Sequence, residues 1–170
     1  DVKYVIIFLN GTPLTTLPKS KITLPSTLDR SFGINKEYNI NSTKNITKTT
    51  IYYISEFNDI TYYVPVTKVN NDERNKIEII IDELSSSNLY RSNLMSYLND
   101  NAEVLSVNQL ENELTINFNS AIFSDINEKE ILEEVIYTIS MSINDNYDVN
   151  TVIFNVEDEE IYKSVLKSIE

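Results

Sequence analysis

The sequence predicts an α+β two-layer sandwich, a mixed sheet with its helices on one face. Two segments rich in β-branched and aromatic residues form hairpins, and two others carry apolar residues at helical spacing. The segments run strand, strand, helix, strand, strand, helix, strand, with a trailing helix, an order that places helices against a shared sheet.

"KYVIIFLNGT" reads as a short strand closed by Asn10-Gly11, a dipeptide that adopts the positive φ of tight turns. Pro13, Pro18 and Pro25 follow, so residues 11 to 48 are expected to be irregular. Within them, "INKEYNINSTKNITKTT" alternates weakly and is open to two readings, an edge strand or a solvated linker, with the linker favoured. "TTIYYISEF" and "ITYYVPVTKV" flank the turn pair Asn58-Asp59 and form a hairpin in which Pro65 marks an edge or a bulge. Ile77, Ile80, Ile81 and Leu84 then lie at i, i+3, i+4 and i+7, the stripe of a first helix whose first turn holds Asp72 and Glu73.

"AEVLSVNQ" and "NELTINFNS" are expected to be strands around a turn at Glu111-Asn112, and Leu114, Ile116 and Phe118 alternate toward one buried face. A second helix is expected from about Asn127, with Glu130 completing a capping pattern. Its apolar stripe is Ile131, Leu132, Val135, Ile136, Ile139 and Ile143. "TVIFNV" reads as a central strand, and "EDEEIYKSVLKSIE" as an acidic-started final helix with Ile161, Val165 and Ile169 on one side. Residues 1–48 are thus expected to be an N-terminal extension or linker, 49–158 the α+β domain and 159–170 a C-terminal helix, with no internal repeat.

The net charge of −12, from 26 acidic and 14 basic side chains, repels phosphate backbones and argues against nucleic acid as a partner. The longest apolar run, Tyr4 to Leu9, is far short of the ~20 residues of a membrane span. Beginning at Asp1 rather than Met fits a trimmed chain or one whose leader has been removed.

The sequence has no histidine and no cysteine, which removes imidazole acid-base chemistry, thiolate nucleophiles, disulfides and the usual zinc ligands. Ser-Lys and carboxylate pairs remain, but acidic residues are so numerous that chance pairs are guaranteed. "NDNYDVN" fails as a calcium loop: counted from Asn144, the sixth and twelfth places hold Val149 and Asn155 where Gly and Glu are needed. The expectation is therefore no enzyme, no cofactor, no metal and no catalytic residue. Tyrosine, with 11 copies, is paired at Tyr52-Tyr53 and Tyr62-Tyr63; in a strand one ring of each pair points to the core and the other outward, where it can anchor a partner or simply reflect β-propensity.

From Ile60 to Asp158 the chain resembles the GerMN domain, a module of bacterial sporulation and germination lipoproteins. "YYVPVTKV" is similar to the family's opening strand, and "KIEIIIDELSSS" sits where the family has its first helix. "LNDNAEVLSVNQLENELTINFNSAIF" resembles its strand pair, and "EEVIYTISMSINDNYDVNTVIFNVED" its closing segment. Where the family has Gly-Pro after the first helix, a PxGT turn and a final glycine, this chain has "SSSN", "NDNA" and Asp158 or Glu159.

The resemblance implies a fold like the ring-building motif of secretion and sporulation machines, with no catalytic residue. It also implies an extracytoplasmic location, on a lipid anchor or leader outside this chain. The expected function is a non-enzymatic assembly module supporting a protein complex at the mother cell–forespore boundary. The alternatives are a domain binding a small molecule or cell-wall ligand, which requires an apolar pocket, and a carboxylate hydrolase.

Overall fold

The computed structural model describes residues 3–19, 21–29, 32–86 and 93–165. In chain order the elements are β1 (Phe8–Leu9), β2 (Thr12–Pro13), β3 (Glu37–Asn39), β4 (Thr47–Phe57), β5 (Ile60–Asn70), α1 (Lys76–Ser85), β6 (Val104–Leu110), β7 (Glu113–Phe118), α2 (Glu133–Asn146), β8 (Thr151–Val156) and β9 (Glu159–Val165). The α+β class with mixed sheets holds. The strands are distributed over a three-stranded sheet, β3-β5-β4, and a four-stranded sheet, β6-β7-β8-β9, with β1 and β2 forming a separate ribbon.

The four-stranded sheet is mixed, since β7 runs parallel to β8 while the outer pairs are antiparallel. Leu114, Ile116 and Phe118 stand opposite Val152, Phe154 and Val156, all fully buried on one face, and the Phe118 and Phe154 rings stack at 6.0 Å. That face shares one core with Ile77, Ile80 and Leu84 of α1 and Val135, Ile139 and Ile143 of α2. Both helices therefore cover the same face of this sheet, as the two stripes required.

The three-stranded sheet meets the helices through its edge strand, β4. Tyr53 and Tyr52 leave the strand in opposite directions. The Tyr53 hydroxyl donates to Glu83 of α1 at 3.1 Å, and the Tyr52 hydroxyl donates to Asp145 of α2 at 2.9 Å.

The stripe expected of α1 is buried in full, but the helix starts at Lys76, where the Asn75 side chain accepts from the Ile77 amide. Asp72 and Glu73 precede the helix, and Asp72 binds Arg74 instead. The favoured linker reading is corrected at Glu37–Asn39, which pairs parallel with Lys68–Asn70 of β5 as an edge strand. Because β3 pairs only with Lys68–Asn70, Pro65 has a strand partner on its β4 side alone among the described residues, so the proline costs no ladder bond, and its carbonyl accepts from Asn35 Nδ2 at 2.9 Å.

Two helix expectations are corrected. The second helix begins at Glu133, not near Asn127. Asp125 accepts from the amides of Asn127 and Glu128, and this local turn captures donors that a helix start would have used. The expected C-terminal helix is strand β9 from Glu159 to Val165; residues 166–170, with Ile169, lie outside the described residues. "EDEE" is a hairpin turn, with Glu157 and Asp158 at φ 49° and 69°. The turn is tied to the end of β7, because the Asp158 carboxylate accepts from Asn117 at 2.7 Å and the Asp158 amide donates back to Asn117 at 2.9 Å. Those long-range bonds outweigh the acidic preference for a helix start.

Candidate functional site

A type I′-like turn, Asn58 and Asp59 at φ 52° and 59°, joins the two longest strands into a ribbon. Its inner end is buried. Phe57 opposes Ile60 and Ser55 opposes Tyr62, so Phe57, Ile60 and Tyr62 share the face that carries Tyr53 further in. Tyr53 is 1% exposed beneath α1, whereas Phe57, Ile60 and Tyr62 are 67%, 54% and 46% exposed. One face of the ribbon thus runs from core to a solvent-facing apolar cluster.

On the opposite face, Tyr63 packs edge-on against Tyr137 of α2 with centroids 5.6 Å apart, and Glu56 accepts from the Tyr97 hydroxyl at 3.0 Å. These contacts fix the ribbon's orientation below its tip. Burial first, and then the Glu83 carboxylate, push the Tyr53 phenol far above its usual range. Lys68, within 3.3 Å of Glu83 and 2.6 Å of Glu37, completes a charged cluster at the sheet's flank. The sequence pairing of tyrosines is resolved here: Tyr52 and Tyr53 both serve the fold, and Tyr62 is the outward ring.

The free edge of β4 is closed by α2, an arrangement the sequence reading missed. The Thr50 amide donates to Asn146 Oδ1 at 3.1 Å, and Asn146 Nδ2 donates to the Thr50 carbonyl at 2.6 Å. The Tyr52 amide donates to Ser142 Oγ at 2.9 Å, and Ile54 exchanges two backbone bonds with Met95. Thr138, Ser142 and Asn146 lie four residues apart, a polar row beside the apolar stripe, and that spacing is the signal by which the contact is legible.

Among the described residues no group of three or more Asp, Glu, His or Cys side chains is placed to hold a metal. An open cleft of about 350 Å³ lies between the loop before α2 and β9, lined by Ile131, Ile136, Ile161 and Tyr162 with Glu130 and Glu133 at its rim. Lys129 on the same rim is ion-paired with Glu159. Among the described residues no helix is long and apolar enough to cross a membrane.

No family model matches the chain. Over 161 residues, 92% of its length, it is 31% identical to the spore germination protein GerM of Bacillus subtilis (strain 168). The structure of the tandem GerMN domains of the sporulation protein GerM from Bacillus subtilis superposes with a TM-score of 0.79, at 27% identity, over 98% of this chain and 61% of that one. The chain resembles GerM in sequence and its tandem GerMN domains in fold. It spans 44% of the curated GerM sequence it matches. GerM is named for sporulation and germination, and the α+β fold expected from the resemblance is the one observed.

Proposed function

We propose that this chain is a non-enzymatic interaction module of a sporulation or germination protein, supporting a protein complex outside the cytoplasm at the mother cell–forespore boundary. Membrane attachment in this reading comes from a lipid-anchored segment outside the chain. The observation that carries the proposal is the similarity to GerM over 92% of the chain. The absence of histidine from the sequence, which removes the usual general base, agrees with a binding role.

The binding surface we assign is the solvent end of the β4–β5 ribbon. Phe57, Ile60 and Tyr62 form one cluster on a rigid two-stranded support, and aromatic anchors of this kind carry much of the energy of protein interfaces. The test is recovery of the membrane complex from sporulating cells carrying Phe57→Ala or Tyr62→Ala, with spore yield as the second readout. Loss of the complex at normal protein levels supports the proposal. Intact complex and spore yield across substitutions on the whole exposed ribbon, with activity lost instead on changing Glu130 and Glu133 at the cleft, would overturn it in favour of ligand binding or catalysis.

A further inference from the structure

An edge strand leaves a row of backbone donors and acceptors open to another chain, and most edges of these two sheets are protected. Asn146 and Ser142 of α2 and the Met95 backbone occupy β4. On the far side of β5, β3 pairs with one end, the Asn35 side chain donates to the Pro65 carbonyl and the Thr67 amide donates to the Ile34 carbonyl. β9 carries Glu159, Glu160 and Lys163 and has a bulge opposite Phe154 and Asn155, the charges and irregularity that keep natural edges unpaired.

β6 lacks such protection over most of its length. Among the described residues β7 is its one strand neighbour. Its sequence, "VLSVNQL", contains no charge and no proline, and its bulge is confined to Leu105, so that residues 106–110 run in regular register with residues 113–117. Val107 shares the inward face with Ile116 yet is 41% exposed, and Leu110, on the opposite face, is 70% exposed. An uncharged edge with apolar side chains on both faces is a template for one more strand.

The ends of β6 decide what that strand is. Glu103 precedes it and Glu111 follows it; both are exposed, and among the described residues neither is in an ion pair. A second copy aligned antiparallel about Val107 would set each Glu103 against Glu111 of the other copy, and in-register parallel alignment would set like against like, in chains of net charge −12. An extended segment of opposite charge fits instead. We infer that β6 takes up, by strand addition, an extended segment of a partner protein whose apolar centre is flanked at both ends by Lys or Arg, the cationic ends lying roughly 25 Å apart to meet Glu103 and Glu111. β6 belongs to the four-stranded sheet and the ribbon tip to the three-stranded one, so the inference does not depend on the ribbon surface proposed above.

The test uses the synthetic peptide Lys-Lys-Val-Thr-Val-Thr-Val-Lys-Lys with the 170-residue chain. Saturable binding that weakens with salt is expected, and at saturation amide hydrogen exchange of residues 106–110 is expected to slow by about 10-fold or more. Asn108→Lys, on the exposed face opposite Thr115, is expected to weaken binding by about 10-fold or more at an unchanged melting temperature. Glu103→Lys combined with Glu111→Lys is expected to reverse the preference, toward the same peptide with Glu in place of its lysines. Absence of binding, or binding without protection of residues 106–110, overturns the inference. So does equal affinity for Lys-Lys-Val-Thr-Pro-Thr-Val-Lys-Lys, which keeps the charge but not the strand, or protection of residues 106–110 that rises with protein concentration when no peptide is present, which assigns the edge to a second copy.

Discussion

Asn146 of α2 grips the backbone of Thr50 at both polar groups, donating to its carbonyl at 2.6 Å and accepting from its amide at 3.1 Å. A side-chain amide is here arranged as a neighbouring strand would be, and α2 thereby closes a sheet edge that would otherwise invite pairing with another chain.

Asn146→Ala leaves a half-buried donor and acceptor on Thr50 without their partner, and is expected to destabilise the fold by about 1–3 kcal/mol. Ser142→Ala, which frees the Tyr52 amide, is expected to act in the same direction. Denaturant titration of both variants measures this; an Asn146→Ala midpoint indistinguishable from wild type would show that water replaces the amide at no cost.

Tyr53 of β4 and Tyr62 of β5 lie on one face of the ribbon, the first buried and the second exposed. Tyr53→Ala is expected to cost about 3–5 kcal/mol, as for other fully buried aromatic rings. Tyr62→Ala at the exposed tip is expected to stay within about 0.5 kcal/mol of wild type. Thermal melts of the two purified variants decide the point, and a large loss in Tyr62→Ala would reassign that ring to the core.

Stability is expected to fall at alkaline pH. The Tyr53 phenol, normally titrating at 10.0, is raised by burial and then by Glu83, and burial is the leading cause of the upward shift at Tyr63 and Tyr147 too. A raised folded pKa means that above about pH 10 the unfolded chain releases protons that the folded chain retains. The contribution is complete below that pH and lost as pH rises through it. Melting temperature against pH should be flat up to about pH 9.5 and decline beyond, less steeply in Tyr53→Phe. An identical decline in that variant would remove Tyr53 from the account.

Glu157 holds φ 49° in the β8–β9 turn, a conformation that asparagine tolerates better than glutamate. Glu157→Asn is expected to raise stability by a few tenths to about 1 kcal/mol, and Asp158 is best left alone because it binds Asn117. Calorimetry showing a loss would mean that Glu157 makes a contribution beyond its backbone.

Chelator is expected to leave the melting temperature unchanged, since the sequence offers neither His nor Cys. A fall of several degrees would reveal a bound ion, because a ligand of the folded state stabilises it by mass action.

By itself the sequence determined what is local: the stripes of α1 and α2, the alternation of Leu114, Ile116 and Phe118, the turns at Asn10-Gly11 and Asn58-Asp59, and the GerMN resemblance. These are readable because periodicity and turn chemistry belong to neighbouring residues. Only the tertiary structure decided that β3 joins β5, that "EDEE" turns a hairpin, that α2 waits until Glu133, and that Tyr62 rather than Tyr53 faces solvent. Each of those outcomes depends on a partner distant in sequence, Lys68, Asn117 or Glu83, or on a polar turn that captures the donors of a helix start. Such competition between local preference and long-range pairing leaves no periodic mark in the chain.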